Sequence, residues 1–235
     1  MIDVRALGRS FPGRELPAMD GVTFRIGAGE IVALAGRNGA GKTTLLDVLS
    51  TLLLPSDGTA RVAGFDIVRE TGAVRRHAAY AMAGPRGLFT RLSGRRNLEF
   101  YAALHPEIAD VGARVSELIA LLDLASFIDR PVWNCSDGMQ QKLVLARTLL
   151  GRPSVLLLDE PMRALDSVAR RQLTEIFERF AGGDAPAAVL YATHDLDERS
   201  TASSRTLVLS RGRLVFDGVP APGETARLLD AEADA

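Results

Sequence analysis

The chain has a single cysteine, Cys135, so no intrachain disulfide can form. That fits a reducing compartment. Its three histidines, His77, His105 and His194, are scattered and share no metal-ligand spacing with Cys135. Neither sign of charge is in excess. Lys and Arg number 28 against 29 Asp and Glu, a formal net charge of -1 that gives nucleic acid no overall field to follow. Basic clusters such as Arg75-Arg76 and the RLSGRR stretch from Arg91 read as solvated faces. No apolar run approaches the ~20 residues of a membrane-spanning helix. The opening MIDVRALGRS lacks the apolar stretch of a signal peptide. The expectation is a soluble chain that needs a separate anchor for any work at a membrane. No repeat or low-complexity segment occurs.

What is present is ordinary globular composition, 47% apolar and 24% charged over 235 residues, enough for one large domain or two small lobes. VRALG and GVTFRIGAGE read as short strands with turns. EIVALAG, SVLLLDE and AAVLYATHD are short apolar runs with the look of buried strands. From Lys42 to Leu54 leucines recur on one broad stripe, which predicts a helix that Pro55 stops. SDGTARVAG reads as a turn and an edge strand. From Gly84 to Leu150 strand signals are absent. RRNLEFYAAL, VSELIALLDL and MQQKLVLARTLL carry helical spacing, so a helical lobe is inserted into an α/β core. SVARRQLTEIFERF is a further helix, RTLVLSRGRLVFDG a hairpin turning at Arg211-Gly212, and LLDAEADA an acidic, fraying tail.

GRNGAGKTT, residues 36 to 44, satisfies G-x-x-x-x-G-K-[ST] through Gly36, Gly41, Lys42 and Thr43, with a strand before it and a helix after it. Glycines let backbone N–H groups turn inward around phosphate, and the helix N-terminus adds partial positive charge. Lys42 is placed to reach the β- and γ-phosphates and Thr43 to ligate Mg²⁺. Asp159 and Glu160 end the SVLLLDE strand, where ligands of open α/β sheets sit. Asp159 is placed to hold Mg²⁺ and Glu160 to polarise an attacking water. The bland alternatives are a Gly-rich turn and two solvated acids.

CSDGMQQKLVLARTLL, shortly before that acidic strand, resembles the signature motif and following helix of ATP-binding cassette (ABC) ATPases, often written L-S-G-G-Q. Ser136 and Gly138 match its essential positions; Cys135, Asp137 and Met139 depart from it. EPMRALDS resembles the family's D-loop, with Asp166. His194 in YATHD matches its switch histidine. Phe11 in RSFPG sits where the family places an aromatic against adenine, although an aromatic there could also simply pack the core. GPRGLFTRLSGRRNLEFYAAL resembles the entry to the helical subdomain. The resemblance runs from about Ile2 to Gly218.

The resemblance implies a P-loop NTPase with a RecA-like α/β core, an N-terminal antiparallel β subdomain and an inserted α-helical subdomain. Core and β subdomain cover 1–83 and 151–218, the helical subdomain 84–150 and a tail 219–235. It implies ATP and Mg²⁺ as ligands. Catalysis falls to Glu160 and His194, metal binding to Thr43 and Asp159. Nucleotide contacts fall to Phe11, to the loop residues Gly36, Arg37, Asn38, Gly39, Ala40, Gly41, Lys42, Thr43 and Thr44, and to Ser136, Gly138 and Asp166. Ser136 also sits where an N-cap belongs, and its helix end is an anion site without an anion of its own. The resemblance supplies the anion: the γ-phosphate held by a second, facing ATPase subunit. Integral membrane permease subunits are the other partners, at the cytoplasmic face of the membrane, and nucleic acid is not one. The S-x-G-M form of the signature looks more like export-type systems.

One family position is broken. The glutamine expected between core and helical lobe falls at Gly84, and no Gln precedes Gln140. This touches the coupling step more than binding, and Gly84 with Gly87 loosens the hinge. A second class is therefore a weakly hydrolysing regulatory module. A third, a soluble ABC ATPase of translation or repair, usually carries tandem cassettes or coiled-coil insertions, and neither is here.

Overall fold

A computed structural model describes the chain except residues 83, 85, 164, 184, 195–202, 204, 222, 225, 226 and 228–235. The acidic tail therefore lies outside the described residues. Strands β1 (Ile2–Arg9), β2 (Met19–Ile26), β4 (Asp57–Val62) and β5 (Phe65–Asp66) form an antiparallel sheet in the order β2-β1-β4-β5. The segment read as an edge strand, β4, instead lies between β1 and the two-residue β5. The second sheet has the order β10-β9-β3-β8-β7-β6. It comprises β3 (Ile31–Ala35), β6 (Ala78–Ala81), β7 (Val155–Asp159), β8 (Ala188–Thr193), β9 (Arg205–Ser210) and β10 (Arg213–Gly218). Its strands run parallel except β10, which returns on β9 through a turn with φ +43° at Arg211 and +82° at Gly212. Positive φ at both positions is the two-residue hairpin geometry.

Alternation along the parallel strands builds two cores from one sheet. Val32, Leu34, Val155, Leu157, Ala188 and Leu190 face one way. They meet α1 (Lys42–Leu49) and, beyond it, the inward residues of the antiparallel sheet, among them Val4, Met19, Val22 and Phe24. Ala33, Leu156, Leu158, Val189 and Tyr191 face the other way. They share a core with α3 (Gly94–Ala102), α4 (Val111–Leu121), α5 (Asp137–Thr148) and α6 (Ser167–Gly182). Both faces are covered, so β8 is buried from end to end, as parallel strands between helical layers are. α6 shows how its sequence docks: Leu173, Ile176, Phe177 and Ala181 form one stripe and are its buried residues.

Helix α1 is shorter than its leucines suggest. It ends at Leu49, not at Pro55. Thr51 turns left-handed at φ +66°, and Arg75, from α2 (Thr71–His77), donates to its hydroxyl at 2.8 Å and its carbonyl at 3.0 Å. Leu52 and Leu54, the end of the stripe, are exposed.

Candidate active site

Three neighbouring strands deliver the site. In the β3-β8-β7 register Ala35 pairs with Thr193 and Ala192 with Asp159. Gly36, His194 and Glu160 therefore leave the same sheet edge side by side, at the carboxyl ends where open α/β sheets bind ligands. A cleft of about 610 Å³ opens there.

The loop after β3 is held by close backbone approach. A Cβ at Gly36 would lie 2.6 Å from the Leu209 carbonyl oxygen, and one at Gly41 would lie 2.5 Å from that of Ala18. Gly41 begins α1 at φ +105° and offers no side-chain cap. α2 likewise has no side-chain cap, whereas α3 to α6 differ. α3, α4, α5 and α6 are each capped by an oxygen side chain, from Ser93, Asp110, Ser136 and Asp166. The first N–H groups of α1 thus face the cleft without a capping oxygen, and its first turn holds no acid. That is the arrangement that receives an anion.

Lys42 is buried and folded back on the loop. Its Nζ donates to the Gly36 carbonyl at 2.6 Å and the Arg37 carbonyl at 3.3 Å, and lies 3.9 Å from Glu160 Oε1. Burial pulls the ammonium pKa down, while the Glu160 and Asp159 carboxylates oppose that shift. Thr43 donates from Oγ1 to Asp159 Oδ2 at 2.8 Å. Glu160 is held in the left-handed region at φ +51°, a strain on the order of 1–3 kcal/mol for a residue with a Cβ. Its Oε2 lies 2.6 Å from His194 Nδ1, within hydrogen-bond distance. Glu160 is mostly shielded, whereas His194 is about half exposed.

A second concavity, of about 500 Å³, is lined by Ser136, Gly138 and Asp166 together and shares no lining residue with the first. Ser136 caps α5 by accepting from Met139 N at 3.3 Å. Asp166 caps α6 by accepting from Val168 N at 3.0 Å and Ala169 N at 2.8 Å.

A sequence profile described as ABC transporter matches residues 19–163, from β2 through the phosphate loop to the acidic strand end. The chain belongs to the ABC transporter family. It is 36% identical over 221 residues to the probable multidrug ABC transporter ATP-binding protein YbhF of Escherichia coli, covering 94% of this chain and 38% of that one. It is 39% identical over 209 residues to the daunorubicin resistance ATP-binding protein DrrA3 of Streptomyces coeruleorubidus, covering 86% and 63%. The chain thus spans less than two thirds of the length of either relative. The ATP-binding cassette MJ0796, solved as a dimer with ADP and phosphate, shares the fold at TM-score 0.82 and 23% identity, covering 94% of this chain and all of that one. The cbiO1 protein of Clostridium perfringens, part of an ABC transporter complex, does so at TM-score 0.83 and 23% identity, covering 99% and 91%. Neither relative's name supports a regulatory or translational role.

Within this ABC domain the residues expected at the site fall into two groups. Arg37, Asn38, Gly39, Gly41, Lys42, Thr43, Thr44, Asp159, Glu160 and His194 line the phosphate-loop cleft, with Gly36 and Ala40 buried in the same loop. Ser136, Gly138 and Asp166 line the other concavity. Phe11 lines neither. Cys135 is buried and its thiol is pushed up by that burial. The donor set fits Mg²⁺. Thr43 and Asp159 offer two hard oxygens, and this ion is commonly held by one or two carboxylates plus substrate phosphates. Gly84, where the family glutamine belongs, adopts φ +80° with open space around the missing Cβ. Arg14, Arg86 and Arg163 also line the cleft. Nothing in the sequence marks these three, because an arginine's charge does not tell which concavity it faces. No helix among the described residues is long and apolar enough to cross a membrane.

Proposed function

We propose that this chain is the ATP-binding and ATP-hydrolysing component of a transporter of the drug-export type, acting on separate membrane-spanning subunits. The observation that carries the reading is the 2.6 Å pairing of Glu160 with His194, one residue from an Asp159 already bonded to Thr43. An acid to take a proton and an acid to hold a metal stand in fixed relation at one cleft. The loop N–H groups and Lys42 bind the phosphates, Lys42 exchanging its hold on Gly36 and Arg37 carbonyls for phosphate oxygens. Thr43 and Asp159 hold Mg²⁺, which supplies neutralisation of phosphate charge when bound. Glu160 orients the attacking water and takes its proton, and His194 fixes the carboxylate while facing the same cleft. The names of the multidrug and drug-resistance relatives support the export assignment.

Ser136, Gly138 and Asp166 line a concavity apart from the phosphate-loop cleft of their own chain. We assign them to the ATP of a second, facing ATPase subunit. A patch of exposed aromatics supports the permease contact. Phe89 and Phe100 are each 45% exposed and meet edge to face at 5.0 Å. Tyr101 beside them donates to the Gly87 carbonyl at 2.5 Å, next to the cleft-lining Arg86.

The test is turnover by purified protein with MgATP. Glu160→Gln keeps the shape and removes the proton acceptor, so turnover falls by about 10²-fold or more while ATP binding persists. Tight binding by the unaltered chain without any turnover refutes the hydrolytic reading.

A further inference from the structure

The chain crosses from the sheet to the helical lobe between Ala81, the last residue of β6, and Leu88, which is buried in the core that the sheet shares with α3 to α6. Two side chains of the lobe hold this crossing by its backbone. Arg147 Nη1 donates to the Arg86 carbonyl at 3.0 Å, and the Tyr101 hydroxyl donates to the Gly87 carbonyl at 2.5 Å. The two holders also meet each other. The Arg147 guanidinium carbon lies 5.2 Å from the Tyr101 ring centroid, within cation–π range. Gly87 makes room for them: a Cβ there would overlap Arg147 Nη1 and stand 3.0 Å from its Cζ. Arg147 belongs to the last turn of α5, the helix that Ser136 caps at its other end. Leu143, Val144, Leu145 and Ala146 are buried just before it and seat the helix in the lobe. At 1.5 Å per residue, α5 is a rod about 18 Å long. One end of that rod grips the crossing beside the cleft, and the other carries the serine.

We propose that Arg147 is a positioning residue for hydrolysis: its grip on Arg86 and Gly87 sets the angle of α5, and so the place where Ser136 meets the ATP of a facing subunit. This rests on the hydrolytic, facing-subunit reading above. Arg147 does this work at a position where the chain has Gly84 in place of the family glutamine, so a contact made by α5 to the backbone ties lobe to cleft. Arg147 touches no phosphate-loop residue, and its loss should spare nucleotide binding while slowing the step that needs the serine. A displacement of about 1 Å, made far from the chemistry, can slow a reaction by as much as about 10²-fold.

The experiment compares steady-state MgATP turnover with equilibrium binding of MgADP, which lacks the γ-phosphate, in full-length protein below the melting point of every variant. Arg147→Ala should lower kcat by about 10-fold or more and leave the Kd for MgADP unchanged. Gly87→Ala keeps Arg147 but fills the place of its guanidinium, so it should slow turnover to a similar degree. The two changes together should cost no more than the larger one alone, because they break the same contact. Full turnover in Arg147→Ala overturns the proposal. Losses that multiply in the double variant also overturn it, since Gly87 and Arg147 would then act separately. An equal weakening of MgADP does so as well, because the damage would lie in the phosphate loop. If the unaltered chain binds nucleotide and turns none over, the hydrolytic reading falls and the inference with it. Turnover that Arg147→Ala leaves untouched refutes the inference alone.

Discussion

Gly41→Ala tests how the phosphate loop is held, because Gly39 provides an internal control. Both glycines have positive φ, +105° at Gly41 and +85° at Gly39. Both lie outside the small left-handed region open to residues with a Cβ, so alanine at either position carries strain on the order of 1–3 kcal/mol. They differ in surroundings. A Cβ at Gly39 meets nothing within 4 Å, whereas one at Gly41 lies 2.5 Å from the Ala18 carbonyl oxygen. That oxygen belongs to backbone, so relief requires the loop or the start of β2 to move. Overpacking of this kind costs about 1–3 kcal/mol more. For a chain of this size that corresponds to a melting point roughly 2–12 °C below that of Gly39→Ala. Thermal unfolding with and without MgATP reads both consequences. At a hundredfold excess over Kd, ATP stabilises the unaltered protein by about 2.7 kcal/mol. Gly41→Ala should lose most of that gain, since its loop no longer matches the phosphates. Equal melting points for the two variants, with the ATP-induced shift intact in Gly41→Ala, would refute the reasoning.

Asp47 on α1 is partly buried, and burial together with the Asp159 carboxylate raises its pKa. An acid with a raised folded pKa costs stability above that pKa, and the cost disappears as pH falls below its unfolded value near 3.8. Asp47→Asn should therefore melt higher than the unaltered chain at pH 7.5, with the difference shrinking toward pH 4; a constant difference across that range contradicts the argument. Phe177 is fully buried and packs against Tyr191 at 5.9 Å between ring centroids. Phe177→Ala should lower unfolding free energy by about 3–5 kcal/mol in denaturant titration, and a loss under 1 kcal/mol would mean that this core collapses around the cavity.

The elements legible in the sequence are those whose signal is contiguous. The phosphate loop is a run of nine residues, and β3, β7 and β8 are uninterrupted apolar stretches, so each announces itself. The strand β6 carries no such signal. It is Ala-Ala-Tyr-Ala, without a β-branched residue, and it is a strand because β7 pairs with it at the sheet edge. The end of α1 is hidden for a related reason. The leucine stripe continues, but Arg75, from a later helix, binds Thr51 and fixes the turn. The Glu160–His194 pairing is not legible in the sequence, where the resemblance marks the two residues separately, since its distance depends on strand order rather than on either residue's neighbours. Arg14 is not legible either, because only the fold shows which wall its turn supplies.

The phosphate loop is also stitched from behind. Gly212 N donates to the Ala40 carbonyl at 3.1 Å, and Asp20 N donates to the Gly212 carbonyl at 2.8 Å. The hairpin that closes β9 onto β10 thus clasps the loop to the start of β2. A nascent chain completes its phosphate motif well before β9 and β10 have been made, so until that hairpin emerges the loop lacks this support from behind.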